Sequence, residues 1–205
     1  MTDPDPRFPA GARTGSGPSL GGPAGGAGSS LPDWLETRLL ERRSVLLRDP
    51  LDSESATRLA ALLMTLDATG DDPVHLEINC SRGSLHAALT LMDTILGMGV
   101  EVEARCSGRA EGPALGVLAV AQRREAAVHA CLRLEDPPLQ STGSVVEVTR
   151  ELEQHRRLVE RFLELVAHAC HQPAERLEVD LAQGRSFDAE AALAYGLIDG
   201  IWRRG

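Results

Sequence analysis

The feature that most constrains this chain is a change of apolar period, from two to between three and four, that recurs along its first two thirds. Val45 to Leu47 reads as a short strand, and Ala56, Leu59, Ala60, Leu63 and Leu66 then repeat at helical spacing behind a capping Asp52 or Ser53. Val74, Leu76 and Ile78 alternate with His75 and Glu77 as a half-buried strand does. The turn Asn79–Gly83 follows, and Ser84 caps a helix that turns Leu85, Ala88, Leu89, Met92 and Ile95 inward. Val100, Val102 and Ala104 make a third strand, and Gly112-Pro113 opens a third helix, because proline at the first helical position forfeits an N–H that has no partner there anyway. Strand, turn and helix in threefold succession predict α/β layers joined by right-handed crossovers.

Two segments stand outside that rhythm. Residues 1–30 are dominated by Gly, Pro, Ala and Ser, with too few large apolar side chains to offset the entropy of ordering them, and are expected to be a disordered tail. From Val148 to about Cys170 a long amphipathic helix is expected, its stripe formed by Val148, Leu152, His155, Val159, Phe162, Val166 and Ala169. Periodicity leaves open whether that stripe covers its own domain or projects toward neighbouring subunits. A last short helix is capped by Asp188 and stopped by Gly196, and Leu197, Ile198, Ile201 and Trp202 close the chain as a strand or extended segment.

Composition narrows the function classes. A net charge of -9 with no basic, aromatic-interleaved stripe argues against nucleic acid and anionic lipid as partners. Cys80, Cys106, Cys131 and Cys170 include no C-x-x-C pair and read as buried free thiols in a reducing compartment. His168 and His171 have helical spacing but lack a third ligand, so no metal and no cofactor is expected. No run approaches the roughly 20 apolar residues of a membrane span, and no signal-type segment leads the chain, so a cytoplasmic location is expected.

Four segments, in order, carry a family resemblance: Ile78–Leu85 (INCSRGSL), Gly108–Leu118 (GRAEGPALGVL), Val128–Pro137 (VHACLRLEDP) and Ala194–Asp199 (AYGLID). They resemble the I-N-S-P-G-G-S, G-x-A-A-S-M-G-A-x-L, P-H-A-R-x-x-x-H-Q-P and E-Y-G-L-I-D motifs of the Clp protease (ClpP) family, over roughly residues 33–202. The resemblance implies an α/β fold of ClpP/crotonase type, with a repeated strand–helix head (31–140 and 174–205) and a projecting handle helix at about 147–171. It also implies heptameric rings stacked through the handles, and serine-protease chemistry in active members.

Mapped residue by residue, that chemistry is missing. The family's nucleophile falls at Gly112, its histidine base at Glu135 and its orienting aspartate at Gly184. The oxyanion-hole positions are Arg82, Gly83 and Pro113, and proline has no N–H to donate. The expected function is therefore that of a catalytically inactive subunit with an assembly or regulatory role. Its partners would be itself or active ClpP-type paralogs, and a Clp AAA+ ATPase, with Val148, Leu152, Val159, Phe162 and Val166 in the oligomer contact. Two alternatives stand beside it. One is a relocated nucleophile among Cys80, Ser81, Ser84, Cys106 and Ser107; the other is acyl-CoA binding of crotonase type, suggested by Gly108–Ala114.

Overall fold

A computed structural model describes residues 32–136 and 142–203. The tail expected over residues 1–30 lies outside the described residues. In chain order the elements are α1 (Asp33–Glu41), β1 (Ser44–Arg48), α2 (Ser53–Ala68), β2 (Val74–Cys80), α3 (Leu85–Leu96), β3 (Val102–Glu111) and α4 (Pro113–Ala119). There follow β4 (Arg123–Ala127), β5 (Cys131–Arg133), α5 (Val145–Cys170), α6 (Ala174–Ala182), β6 (Ser186–Phe187), α7 (Ala189–Tyr195) and β7 (Gly200–Trp202).

The strands form one sheet in the order β1-β2-β3-β4-β7, all parallel, and β5 adds parallel to the far end of β3 with β6 antiparallel to β5. Three strand–helix units built on the expected periods account for this. Asp52 caps α2 by accepting from the Ser55 amide, and α2 buries Ala56, Leu59, Ala60, Leu63 and Leu66. Ser84 caps α3, which buries Leu85, Ala88, Leu89, Met92 and Ile95. These side chains meet Val45, Leu47, Leu76, Ile78, Val102 and Ala104 from the sheet in one apolar core.

The opposite face of the sheet carries charge. Glu103 pairs with Arg123 at 2.9 Å and lies 3.1 Å from His75 Nδ1, and Glu125 pairs with Arg105 at 2.9 Å. Cross-strand pairs of this kind explain β4, whose sequence RREAA has no apolar alternation to announce it. β3 also runs on to Glu111, well beyond the Val100–Ala104 core, and its distal half receives β5.

The long helix begins three residues earlier than its apolar stripe, at Val145, where Ser144 and Glu147 form a reciprocal cap. Its two ends behave differently. Phe162 and Val166 are buried in the chain's own core, 1% and 0% exposed, so neither is available to a neighbouring subunit as expected. Phe162 packs over Gly116 of α4, where an added Cβ would collide with the ring and lie 3.0 Å from Met92 Sδ. Val148 and Val159 are half-buried and Leu152 is exposed, as are Val145 and Val146 at the helix start. The same stripe therefore covers its own domain at one end and is open at the other.

Candidate functional site

The carboxyl ends of β2, β3 and β5 lie side by side, and that crest is where ligands bind in open parallel sheets. β3 passes into α4 through Gly112, with φ 52° and ψ −123°. A positive φ followed at once by a helix makes a sharp turn that presents one residue above the sheet, which is the shape of a nucleophile elbow. Here the residue at the apex has no side chain. A Cβ placed on it would point at Glu135, 3.4 Å from its carbonyl oxygen and 3.6 Å from its Cγ.

Glu135 does not face Gly112 alone. Arg133, two residues earlier on the same side of the strand, sets its Nε 3.1 Å from Glu135 Oε2 and donates to the Gly184 carbonyl at 3.3 Å. Gly184 has φ 61°, and a Cβ there would stand 3.3 Å from Arg133 Nη2. Gly112, Glu135 and Gly184 are thus brought together from three distant segments, with the Arg133 guanidinium spanning the last two. The sequence reading passed over Arg133. Its signal was the alternation Leu132, Arg133, Leu134, Glu135, with both leucines buried and both charged residues on the other face.

The turn after β2 is held by another residue not singled out from the sequence. Asp49 accepts from the amides of Ser81 and Arg82, both at 2.7 Å, and from the Ser81 hydroxyl at 2.8 Å. Burial works against the Asp49 carboxylate, but these donors outweigh it and keep it below the usual carboxylate range. Gly83 lies against Leu51, where a Cβ would come within 2.8 Å of the Leu51 Cβ, so only glycine fits. Pro113 is buried at the first position of α4.

Gly184 sits on a segment anchored from below. The buried Asp180 accepts from Tyr195 Oη at 2.6 Å and from Arg185 Nη1 at 2.9 and 3.1 Å, and Arg185 stacks on the Phe187 and Tyr195 rings. Burial would raise the Asp180 carboxyl, but Tyr195 and Arg185 hold it below its usual 3.8. A depressed folded-state pKa contributes stability above the unfolded value, lost as pH falls through the folded one. The wild type should therefore lose this contribution below about pH 3.8, and Asp180→Asn should be about 1–3 kcal/mol less stable at neutral pH with a shallower acid limb. Urea unfolding at stepped pH reads both.

Residues 30–205 match the Clp protease family model. The chain belongs to the Clp protease family. It is 32% identical over 182 residues to the ATP-dependent Clp protease proteolytic subunit 1 of Mycobacterium tuberculosis, covering 86% of this chain and 90% of that protein. Subunit 1 of Mycobacterium leprae is 31% identical over the same shares, and subunit 2 of Mycolicibacterium paratuberculosis is 30% identical over them. The α/β sheet and the 26-residue α5 are the Clp-type fold with its long helix.

Within this Clp-type fold the other nucleophile candidates sit in poor surroundings. Burial pushes the Cys80 thiol up to about 12 and the Cys106 thiol to about 11, so neither forms much thiolate near neutral pH. The Ser81 hydroxyl is engaged by Asp49, Ser84 caps α3, and Ser107 is exposed on β3. Among the described residues no serine or cysteine is hydrogen-bonded to a histidine, and no group of three His, Cys, Asp or Glu side chains is placed to hold a metal. No described helix is long and apolar enough to cross a membrane. Iodoacetamide at pH 7 should alkylate the half-buried Cys131 before the buried Cys80, Cys106 or Cys170, as peptide mapping would register. Rapid labelling of Cys80 instead would mark it as an activated thiol.

Proposed function

We propose that this Clp-family chain is a catalytically inactive subunit whose role is assembly or regulation within a Clp-type protease complex. The observation that carries this reading is the occupied triad locus. A bare glycine stands at the elbow apex, and an Arg133–Glu135 ion pair fills the space where a base and its orienting acid would meet. Two further features support it. Pro113 has no N–H to offer an oxyanion, and the Arg82 amide is already donated to Asp49. The relatives are named as proteolytic subunits of an ATP-dependent protease. Copies of this chain or active ClpP-type paralogs, and a Clp AAA+ ATPase, are accordingly its proposed partners. The four free thiols fit a cytoplasmic setting.

The purified protein should not cleave fluorogenic peptides or unfolded casein above background, alone or mixed with a Clp ATPase and ATP. Hydrolysis that Cys80→Ala or Ser107→Ala abolishes would sink the inactive-subunit reading. Affinity purification from the native cell then distinguishes an active Clp subunit from any other partner.

A further inference from the structure

We infer that the charged face of the parallel sheet docks a polypeptide segment of a partner protein through one arginine, received by Glu77 of β2. Sheets whose strands run parallel are normally covered on both faces. Here α2 and α3 bury their apolar residues in the core on one face only. On the other, strand register lines up two rows, one of His75, Glu103 and Arg123 and one of Leu46, Glu77, Arg105 and Glu125. No residue of either row is fully buried. Leu46 is half-buried and lies outside the core that takes its sequence neighbours Val45 and Leu47.

The carboxylates of this face are matched except for one. Arg123 pairs with Glu103 at 2.9 Å and reaches Glu125 at 3.7 Å, and Arg105 pairs with Glu125 at 2.9 Å and lies 3.9 Å from Glu103. The two arginines thus neutralise Glu103 and Glu125. Glu77 has neither hydrogen bond nor ion pair among the described residues, and burial raises its carboxyl above the usual range against the pull of Arg105 and His75. Beside it on β2, His75 Nδ1 is buried 3.1 Å from Glu103 yet makes no hydrogen bond among the described residues. A carboxylate half removed from water without a donor is a cost that the chain alone leaves standing, and a cation from a partner offsets it. Arginine suits the place better than lysine. Its guanidinium is weakly hydrated and gives paired donors to the two carboxylate oxygens, while its methylene stem covers Leu46, the cross-strand neighbour of Glu77.

Fluorescence polarisation with the full chain tests this, using a labelled, amidated alanine peptide whose central residue is arginine, citrulline or norleucine. Citrulline keeps the shape of arginine without its charge. Salt at about 0.15 M screens diffuse attraction to the net charge of -9. The arginine peptide should bind saturably and about tenfold more tightly than the citrulline peptide. Glu77→Gln should abolish that margin, whereas Glu153→Gln, the same change of charge on the exposed surface of α5, should preserve it. Because the Glu77 carboxylate has no partner in the fold, Glu77→Gln should not lower the melting temperature. Equal binding of the arginine and citrulline peptides, tighter binding of the norleucine peptide, a margin that survives Glu77→Gln, no saturable binding, or a melting temperature lowered by Glu77→Gln would each overturn the inference. Light scattering without peptide covers one further occupant. Smaller species for Glu77→Gln than for the wild type would give the face to a second copy of this chain, and would overturn it as well.

Discussion

Gly112→Ser should leave the protein as inert as the wild type, although it supplies the one atom a serine peptidase cannot do without. The new Cβ would sit 3.4 Å from the Glu135 carbonyl on a backbone with φ 52°, a conformation that costs a non-glycine residue roughly 1–3 kcal/mol. The hydroxyl would then find a carboxylate tied to Arg133 in place of an imidazole. Pro113 would still withhold one oxyanion donor, a loss of about 100- to 1000-fold in rate by itself. Repair must also address Arg133. An aspartate at 184 would grow toward Arg133 Nη2, 3.3 Å from its Cβ, and would pair with that cation instead of orienting a histidine. The set Gly112→Ser, Pro113→Met, Glu135→His and Gly184→Asp should therefore stay near background while Arg133 is present, and adding Arg133→Met should raise turnover of a fluorogenic peptide by tenfold or more. Turnover by Gly112→Ser alone would show that the base has been misplaced.

The long helix should separate assembly from folding along its length. Val145 is 82% exposed and Leu152 53% exposed, so Val145→Glu with Leu152→Glu leaves the core untouched and should move the melting temperature little. If the exposed end of α5 is where subunits meet, the same pair places charge on a surface that must lose water to associate, and large species should fall to smaller ones. Phe162→Ala should do the reverse. It empties a ring packed against Gly116 and Met92, at a cost of about 3–5 kcal/mol, which is a large share of a typical domain's stability. Light scattering beside thermal unfolding distinguishes the two effects. A folded monomer for wild type and double variant alike, with or without an active paralog, would remove the assembly role.

The regular part of the fold was legible because it rests on local periodicity. The buried faces of α2 and α3 are the residues their spacing marks, and Asp52, Ser84 and Asp188 cap helices where a side-chain oxygen precedes an apolar run. β4, β5, β6 and α6 were not read. β4 is held by ion pairs with β3, and β5 and β6 are three and two residues long, too short to show a period. Glu103 and Arg123 are twenty residues apart, and nothing local couples them.

At the candidate site the sequence by itself determined which groups positions 112, 113 and 184 can offer. Glycine at 112 and 184 and proline at 113 have fixed covalent properties that no fold can alter. What surrounds those positions was a matter for the tertiary structure. Arg133 meets Gly184 across 51 residues, and Asp49 meets the Ser81–Arg82 turn across more than 30, contacts set by strand register and not by spacing along the chain. The stripe on α5 divides for the same reason. Val148, Leu152, Phe162 and Val166 lie on one apolar face by period, but α3, α4 and α6, the elements packed on this helix, bury only its C-terminal part. Burial there is decided by where the neighbouring elements end.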